Sequence, residues 1–144
     1  AMATLEGHRV VHRDIKPQNI FINHTKGRVT GVALGDFDIS RNSQDFVTTL
    51  ERTAFGTVLF LDQESFATKQ FDALSDVYSF GRTMQVVFAG GEGRGIPLFG
   101  VTTFTCPALS TLDVALINRC LGPKAQRFSA YHMAAAGLFA VPST

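Results

Sequence analysis

The 144 residues are 45% hydrophobic and 17% charged, which provides material for a folded core and excludes a mainly disordered chain. The formal net charge of +1 gives no reason to expect nucleic acid or a membrane surface as a partner, and no apolar run is long enough to span a bilayer. The length predicts one domain over residues 1–144. The two cysteines, Cys106 and Cys120, fit neither a metal-site spacing nor a disulfide framework, so we expect the protein in the reducing cytoplasm.

The pattern along the chain predicts helices and one small hairpin. Residues 2–8 are typical of the last turns of a helix. Two short strands, at 19–22 and 28–34, flank a turn and predict a hairpin, which needs helices to pack on because a two-stranded hairpin is marginal by itself. Helices are predicted over four further segments: 62–69, 75–89, 111–120 and 130 to about 138. The predicted fold class is therefore mainly α, within the α+β group.

Residues 75–89 give the strongest helix prediction. Ser75 or Asp76 suits its N-terminal cap, and apolar residues cover nearly every side, so we expect this helix at the centre of the domain. The helix over 111–120 is amphipathic, and its apolar side chains are expected to face inward: Leu112, Ala115, Leu116 and Ile117. Residues 96–110 receive no assignment.

A polar loop precedes the hairpin. Residues 12–19 are rich in charge and amide between apolar flanks, and Pro17 excludes a regular helix. Asp14 suits the role of a proton acceptor, Lys16 can meet an anion, and Asn19 can offer an oxygen to a hard cation. This combination predicts a site that handles protons, an anion and a cation together.

A second acidic segment follows the hairpin. Asp36 and Asp38 flank Phe37, an arrangement that can bury the ring while Asp36 faces a metal. The polar residues 39–55 predict a surface loop, and the glycine-rich residues 90–95 predict another.

In this order, the segments resemble the C-terminal lobe of a eukaryotic protein kinase of the serine/threonine type, from about Leu5 to Ala136. The motifs that carry the resemblance are His12-Arg13-Asp14 with Asn19, Asp36-Phe37, Gly56-Thr57, Glu64, Asp76 with Gly81, and Arg127. The fold implied is a helical lobe whose small β-hairpin carries the catalytic and metal loops.

The resemblance implies a role for each residue of the polar loop. Asp14 would be the base that orients the substrate hydroxyl, and Lys16 would steady the transferred phosphoryl group of ATP. Asn19 and Asp36 would hold Mg²⁺. Thr57 would contact the catalytic aspartate.

Further roles are implied for residues around this centre. Phe21 matches the position beneath the adenine ring, and Arg13 would receive a phosphate carried by the loop that follows Asp38. Candidate acceptors of that phosphate are Ser43, Thr48, Thr49 and Thr53. The architectural roles implied are a stack that includes His12 and Phe37, an Asp76 carboxylate that holds the catalytic loop, and a buried ion pair between Glu64 and Arg127.

The sequence also departs from the family pattern. Asp38 stands where glycine is usual, Gln63 replaces a proline, and the segment after Gly95 is short. No glycine-rich phosphate loop or strand lysine precedes Leu5, so we expect the N-terminal lobe to be absent from these residues.

We therefore expect a fragment of a kinase that uses ATP and Mg²⁺ to modify protein Ser or Thr, inactive by itself and prone to self-association. The alternative is a pseudokinase or regulatory fragment that acts through protein–protein binding.

Overall fold

Helices make up most of the regular structure. The computed structural model describes residues 1–36, 58–88 and 103–135. The α-helices in these ranges are α1 (Met2–Gly7), α2 (Gln63–Thr68), α3 (Ala73–Phe88), α4 (Thr111–Leu121) and α5 (Ala130–Ala135). The strands are β1 (Ile20–Thr25) and β2 (Arg28–Leu34). None of the helices in these ranges is long and apolar enough to cross a membrane.

Helix α3 lies at the centre, as its composition predicts. Ten of its residues are buried, including polar ones such as Ser75 and Asp76. The helix begins at Ala73, two residues earlier than predicted, and the Oδ1 atom of Asp72 accepts the N–H of Ser75 at 3.1 Å. The prediction that Ser75 or Asp76 caps the helix is therefore wrong. The reason is tertiary: the carboxylate of Asp76 serves another segment, described below.

Helix α4 packs closely on α3 at Gly81. A Cβ atom on Gly81 would lie 2.8 Å from the Cβ of Cys120 and 3.2 Å from the Cδ2 of Leu121. Glycine is required there by the close approach of the two helices, since any side chain would force them apart.

Only part of the predicted inner face of α4 is buried. Leu116 and Ile117 lie in the core, but Leu112 is 63% exposed and Ala115 is also exposed. The expectation for these two residues is wrong because the buried stripe is displaced toward the C-terminal half of the helix, where Cys120 and Leu121 meet α3.

The hairpin turns sharply and leaves much apolar surface open. Its two-residue turn, Lys26 and Gly27, has φ angles of +50° and +76°, which is the conformation that matches the twist of a hairpin. β1 extends three residues beyond its predicted end. Large apolar side chains on the hairpin are more than half exposed: Phe21, Ile22, Val29 and Val32.

The hairpin meets the helices around an apolar cavity of about 290 Å³. Ile20 and Leu34 line it from the hairpin, Met2 lines it from α1, Phe80 from α3, and Met133 from α5. Both strands thus reach the helical core through their ends next to the polar loop, which fixes the position of that loop.

Candidate functional site

The polar loop is held by the carboxylate of Asp76 in α3. Its Oδ2 accepts the backbone N–H of His12 at 2.7 Å, and its Oδ1 accepts the N–H of Arg13 at 2.9 Å. Burial raises the pKa of Asp76 above its ordinary value, and the two hydrogen bonds and nearby positive charge only partly offset that rise. The prediction that Asp76 holds this loop is confirmed.

His12 connects the loop to the end of the hairpin. Its Nδ1 accepts the N–H of Asp14 at 3.1 Å, so in the neutral ring the proton lies on Nε2, which donates to the carbonyl oxygen of Gly35 at 2.7 Å. The N–H of Gly35 in turn donates to the carbonyl oxygen of Asn19 at 2.9 Å. His12 is fully buried. These bonds fix Asp36, the next residue, beside the polar loop.

Three predicted site residues come together in this loop. The Nδ2 of Asn19 donates to the backbone oxygen of Asp14 at 2.7 Å and to its carboxylate at 3.0 Å. The Nζ of Lys16 lies 3.4 Å from the same carboxylate oxygen, Oδ2. Asp14 is 6% exposed and Asn19 is 5% exposed, so their orientation is set by packing. One carboxylate is thus placed between a cation and an amide.

The donor set of this site fits Mg²⁺. Among the described residues, the hydrogen bonds of the Asn19 amide use its nitrogen, so its oxygen can serve as a ligand. Asp36 is exposed at the adjoining segment and supplies a carboxylate. Amide and carboxylate oxygens are the hard ligands that Mg²⁺ takes in proteins.

Two residues at this centre have a strained backbone conformation. Arg13 and Asp36 have φ angles of +72° and +57°, a left-handed conformation that non-glycine residues rarely adopt. Within the described part of the chain, the Nε and Nη1 atoms of Arg13 are buried and have no hydrogen-bond partner. Such donors favour an anion at this position.

The remaining predicted site residues lie outside the polar loop. Phe21 is 57% exposed on the hairpin. A further set of residues with predicted roles is outside the part of the chain that the structure describes: Phe37, Asp38, Gly56, Thr57 and the predicted phosphate acceptors at 43, 48, 49 and 53. The glycine-rich segment 90–95 lies outside them as well.

The predicted ion pair has a different acidic partner. Arg127 binds Asp62 through two bonds, Nη1 to Oδ2 at 2.8 Å and Nη2 to Oδ1 at 3.0 Å, and both side chains are 2% exposed. Ser65 also donates to Asp62, at 2.6 Å. Glu64 is exposed and accepts the backbone N–H of Lys124 at 3.1 Å. The predicted pair of Glu64 with Arg127 is therefore wrong, because Asp62 precedes α2 on its buried side and Glu64 lies on the outer side.

Sequence reasoning missed Asp62 and Gly35. No local signal separates Asp62 from Glu64, since both are acidic residues at the start of one short helix. Gly35 had a signal, a glycine directly before an acidic residue, but its hydrogen bonds to Asn19 and His12 depend on the tertiary fold.

A family model described as the protein kinase domain matches residues 1–92. The match includes the polar loop, the hairpin and the whole of α3. The chain belongs to the protein kinase family.

Several proteins named as kinases are similar to this chain. One is a probable LRR receptor-like serine/threonine-protein kinase of Arabidopsis thaliana, 35% identical over 92 residues, 63% of this chain and 9% of that protein. Serine/threonine-protein kinase PknJ of Mycobacterium tuberculosis is 33% identical over 93 residues, 60% of this chain and 16% of the kinase. Eukaryotic translation initiation factor 2-alpha kinase 1 of Rattus norvegicus is 30% identical over 122 residues, 77% of this chain and 19% of the kinase. The chain thus spans less than a fifth of the length of each.

Proposed function

We propose that these residues form the catalytic lobe of a protein kinase that transfers the γ-phosphoryl group of ATP to a Ser or Thr hydroxyl of a protein. The observation that carries the proposal is the buried Asp14 carboxylate, which accepts a hydrogen bond from Asn19 and forms an ion pair with Lys16. Phosphoryl transfer depends mainly on positioning and on neutralising oxygen charge, which such a site provides.

In the proposed reaction, Asp14 accepts the proton of the substrate hydroxyl while the hydroxyl oxygen bonds to the γ-phosphorus. The bond from that phosphorus to the β-phosphate oxygen breaks, and ADP leaves. Lys16 meets the charge on the transferred group. Asn19 and Asp36 would hold Mg²⁺, which would neutralise negative charge on the phosphate groups.

The orphaned donors of Arg13 support the further proposal that a phosphate on the chain orders this loop. A phosphate supplies strong acceptor oxygens, and the left-handed backbone at Arg13 is the strained element that such a contact would stabilise.

The exposed apolar face of the hairpin supports the proposal that the 144 residues by themselves are a poor enzyme. Phe21 and Val32 are 57% and 64% exposed, and we propose that an N-terminal lobe covers this face in the parent protein. The 144-residue chain without that lobe would then bind ATP weakly and transfer little phosphate.

A second function is favoured by one observation, the presence of Asp38 where the family has glycine. A side chain at residue 38 restricts the backbone beside Asp36, where glycine would leave it free to turn the carboxylate toward a metal, so a kinase-like chain that only binds partners is the competing proposal.

Replacing Asp14 with asparagine in the full natural chain tests the proposal. We expect kcat for phosphorylation of a Ser/Thr peptide to fall by about 10²- to 10⁴-fold, because the general base is lost. The KM for ATP should change little, because Asp14 acts on the hydroxyl. Asp113→Asn, in the first turn of α4, is the matched control.

Retained turnover in the Asp14→Asn variant would contradict the assignment of the base. A full chain that binds Mg-ATP or a protein partner but shows no transfer before any substitution would favour the second function.

A further inference from the structure

Ser79, in the middle of α3, holds a segment outside its own helix. Its Oγ atom donates to the carbonyl oxygen of Phe60 at 2.7 Å and lies 3.3 Å from the carbonyl oxygen of Ser75, one turn earlier in α3. A hydroxyl group has a single hydrogen, and 2.7 Å is the usual length of a hydrogen bond between two oxygens, so this hydrogen belongs to the bond with Phe60. The side chain of Ser79 therefore joins α3 to residue 60.

The carbonyl of Phe60 needs a donor from elsewhere in the fold. Val58–Phe60 form one turn of 3₁₀-helix, the 58–60 turn, and the carbonyl groups at the end of such a turn have no partner within it. Phe60 and Ser79 are each 7% exposed, so little water reaches this bond. A carbonyl left unpaired there would be unfavourable, and the Ser79 hydroxyl therefore stabilises the turn in this position.

The chain on the other side of the 58–60 turn is held separately. Arg127 binds Asp62, and it also donates to the carbonyl oxygen of Leu74 in α3 at 3.1 Å. These bonds do not involve Ser79. Loss of the Ser79 hydroxyl should therefore loosen the end of the turn that leads back to Thr57, while the chain from Asp62 onward stays in place.

The face of α3 that carries Ser79 also holds the polar loop. Asp76, which accepts the backbone N–H of His12, lies three residues before Ser79, and residues three apart in a helix are neighbours on one face. The loop attached to Asp76 contains Asp14. One face of α3 thus fixes both this loop and the 58–60 turn.

We propose that Ser79 is a positioning residue for phosphoryl transfer, a role that rests on the kinase function proposed above. Through the carbonyl of Phe60, Ser79 sets the place of the 58–60 turn relative to Asp14. Thr57, which is expected to contact Asp14, is separated from Phe60 by only two residues, so a displaced turn would alter that contact. Ser79 acts on the reaction only through Phe60.

The hydrogen bond is tested first by nuclear magnetic resonance of the 144-residue chain. Phe60 is the only phenylalanine in these residues that leucine follows, so ¹³C in phenylalanine carbonyls and ¹⁵N in leucine give a single signal for the Phe60 carbonyl. Ser79→Ala should shift this signal upfield, because the carbonyl loses its donor. Thr83→Val is the matched control: it removes a fully buried hydroxyl of α3 that donates within the helix, to the carbonyl of Ser79 at 2.8 Å. It should leave the Phe60 signal in place.

The positioning role is tested next by the kinetics of the full natural chain with a Ser/Thr peptide and Mg-ATP. Ser79→Ala should lower kcat about three- to tenfold, the factor that corresponds to the loss of one hydrogen bond. The KM for ATP should stay the same. The stoichiometry of Mg-ATP binding, which counts the folded molecules, should also stay the same. Thr83→Val should turn over as the wild type does.

Each outcome decides a separate point. An unchanged Phe60 signal in Ser79→Ala would overturn the contact and the role with it. Three kinetic results would overturn the role of Ser79 and leave the proposed function standing: an unchanged kcat in Ser79→Ala, a fall in kcat that only follows a fall in Mg-ATP stoichiometry, or an equal fall in Thr83→Val. A full wild-type chain that shows no transfer would overturn the proposed function and this role with it, even if the bond to Phe60 is seen.

Discussion

Replacing Asp62 with asparagine is expected to destabilise the fold much more than replacing Glu64 with glutamine. Asp62 forms two short bonds with Arg127 and accepts a third from Ser65, and the paired side chains are each 2% exposed. Removing one member of such a buried pair leaves a charge without its partner and costs about 3–5 kcal/mol. Glu64 is exposed and accepts one backbone N–H, so its substitution should cost about 1 kcal/mol or less.

Thermal unfolding of the 144-residue chain and its two variants measures the difference. At this chain length the loss in Asp62→Asn corresponds to a melting temperature lower by on the order of 10 °C. Urea unfolding gives the same comparison as a shift in midpoint. Equal losses in the two variants, or a larger loss in Glu64→Gln, would refute the assignment of Asp62 as the partner of Arg127.

The same pair predicts a dependence of stability on pH. Burial alone would raise the pKa of Asp62, but the hydrogen bonds from Arg127 and Ser65 and the positive charges of Arg127 and Lys124 outweigh it and lower the pKa below 3.8. Because the folded pKa is lowered, the stabilisation is present above the ordinary pKa and is lost as the pH falls through the lowered value. The stability advantage of the wild type over Asp62→Asn should therefore shrink below about pH 4.

Two further predictions concern other buried groups. Asp76→Asn should lower the free energy of unfolding by about 2–4 kcal/mol, because the single oxygen of the amide cannot replace the two carboxylate oxygens that accept the backbone N–H groups of His12 and Arg13. Urea unfolding measures this loss. A loss below about 1 kcal/mol would show that other contacts hold the loop. Burial raises the pKa of Cys120 to about 12, so a thiol reagent at neutral pH should modify the partly exposed Cys106 and leave Cys120 unmodified until the chain unfolds. Equal rates of modification of the two cysteines in the folded chain would contradict this.

The positions of the main helices followed from local sequence pattern. The predicted helices over 75–89 and 111–120 correspond to Ala73–Phe88 and Thr111–Leu121, since helical periodicity and capping are short-range properties. Ser110 caps the second of these through the N–H of Asp113. The hairpin followed in the same way from its strands and turn.

Side-chain contacts between segments distant in the chain were predicted less well. The role of Asp76 toward the polar loop was expected from a family pattern, and it holds because that pattern itself records a tertiary contact. The assignment of Glu64 as the partner of Arg127 failed because Asp62 and Glu64 differ in which side of α2 they occupy, not in chemistry. The same applies to Leu112, whose apolar side chain stays exposed at the start of α4.

The sequence by itself therefore determined the helices, the hairpin and the identity of the polar loop, because these depend on residues close together in the chain. Only the tertiary structure decided that His12 bonds to Gly35, that Arg127 binds Asp62, and that Phe21 lies against a glycine. Each of these contacts joins segments 14 to 65 residues apart, and its partner is chosen by burial and geometry rather than by residue type.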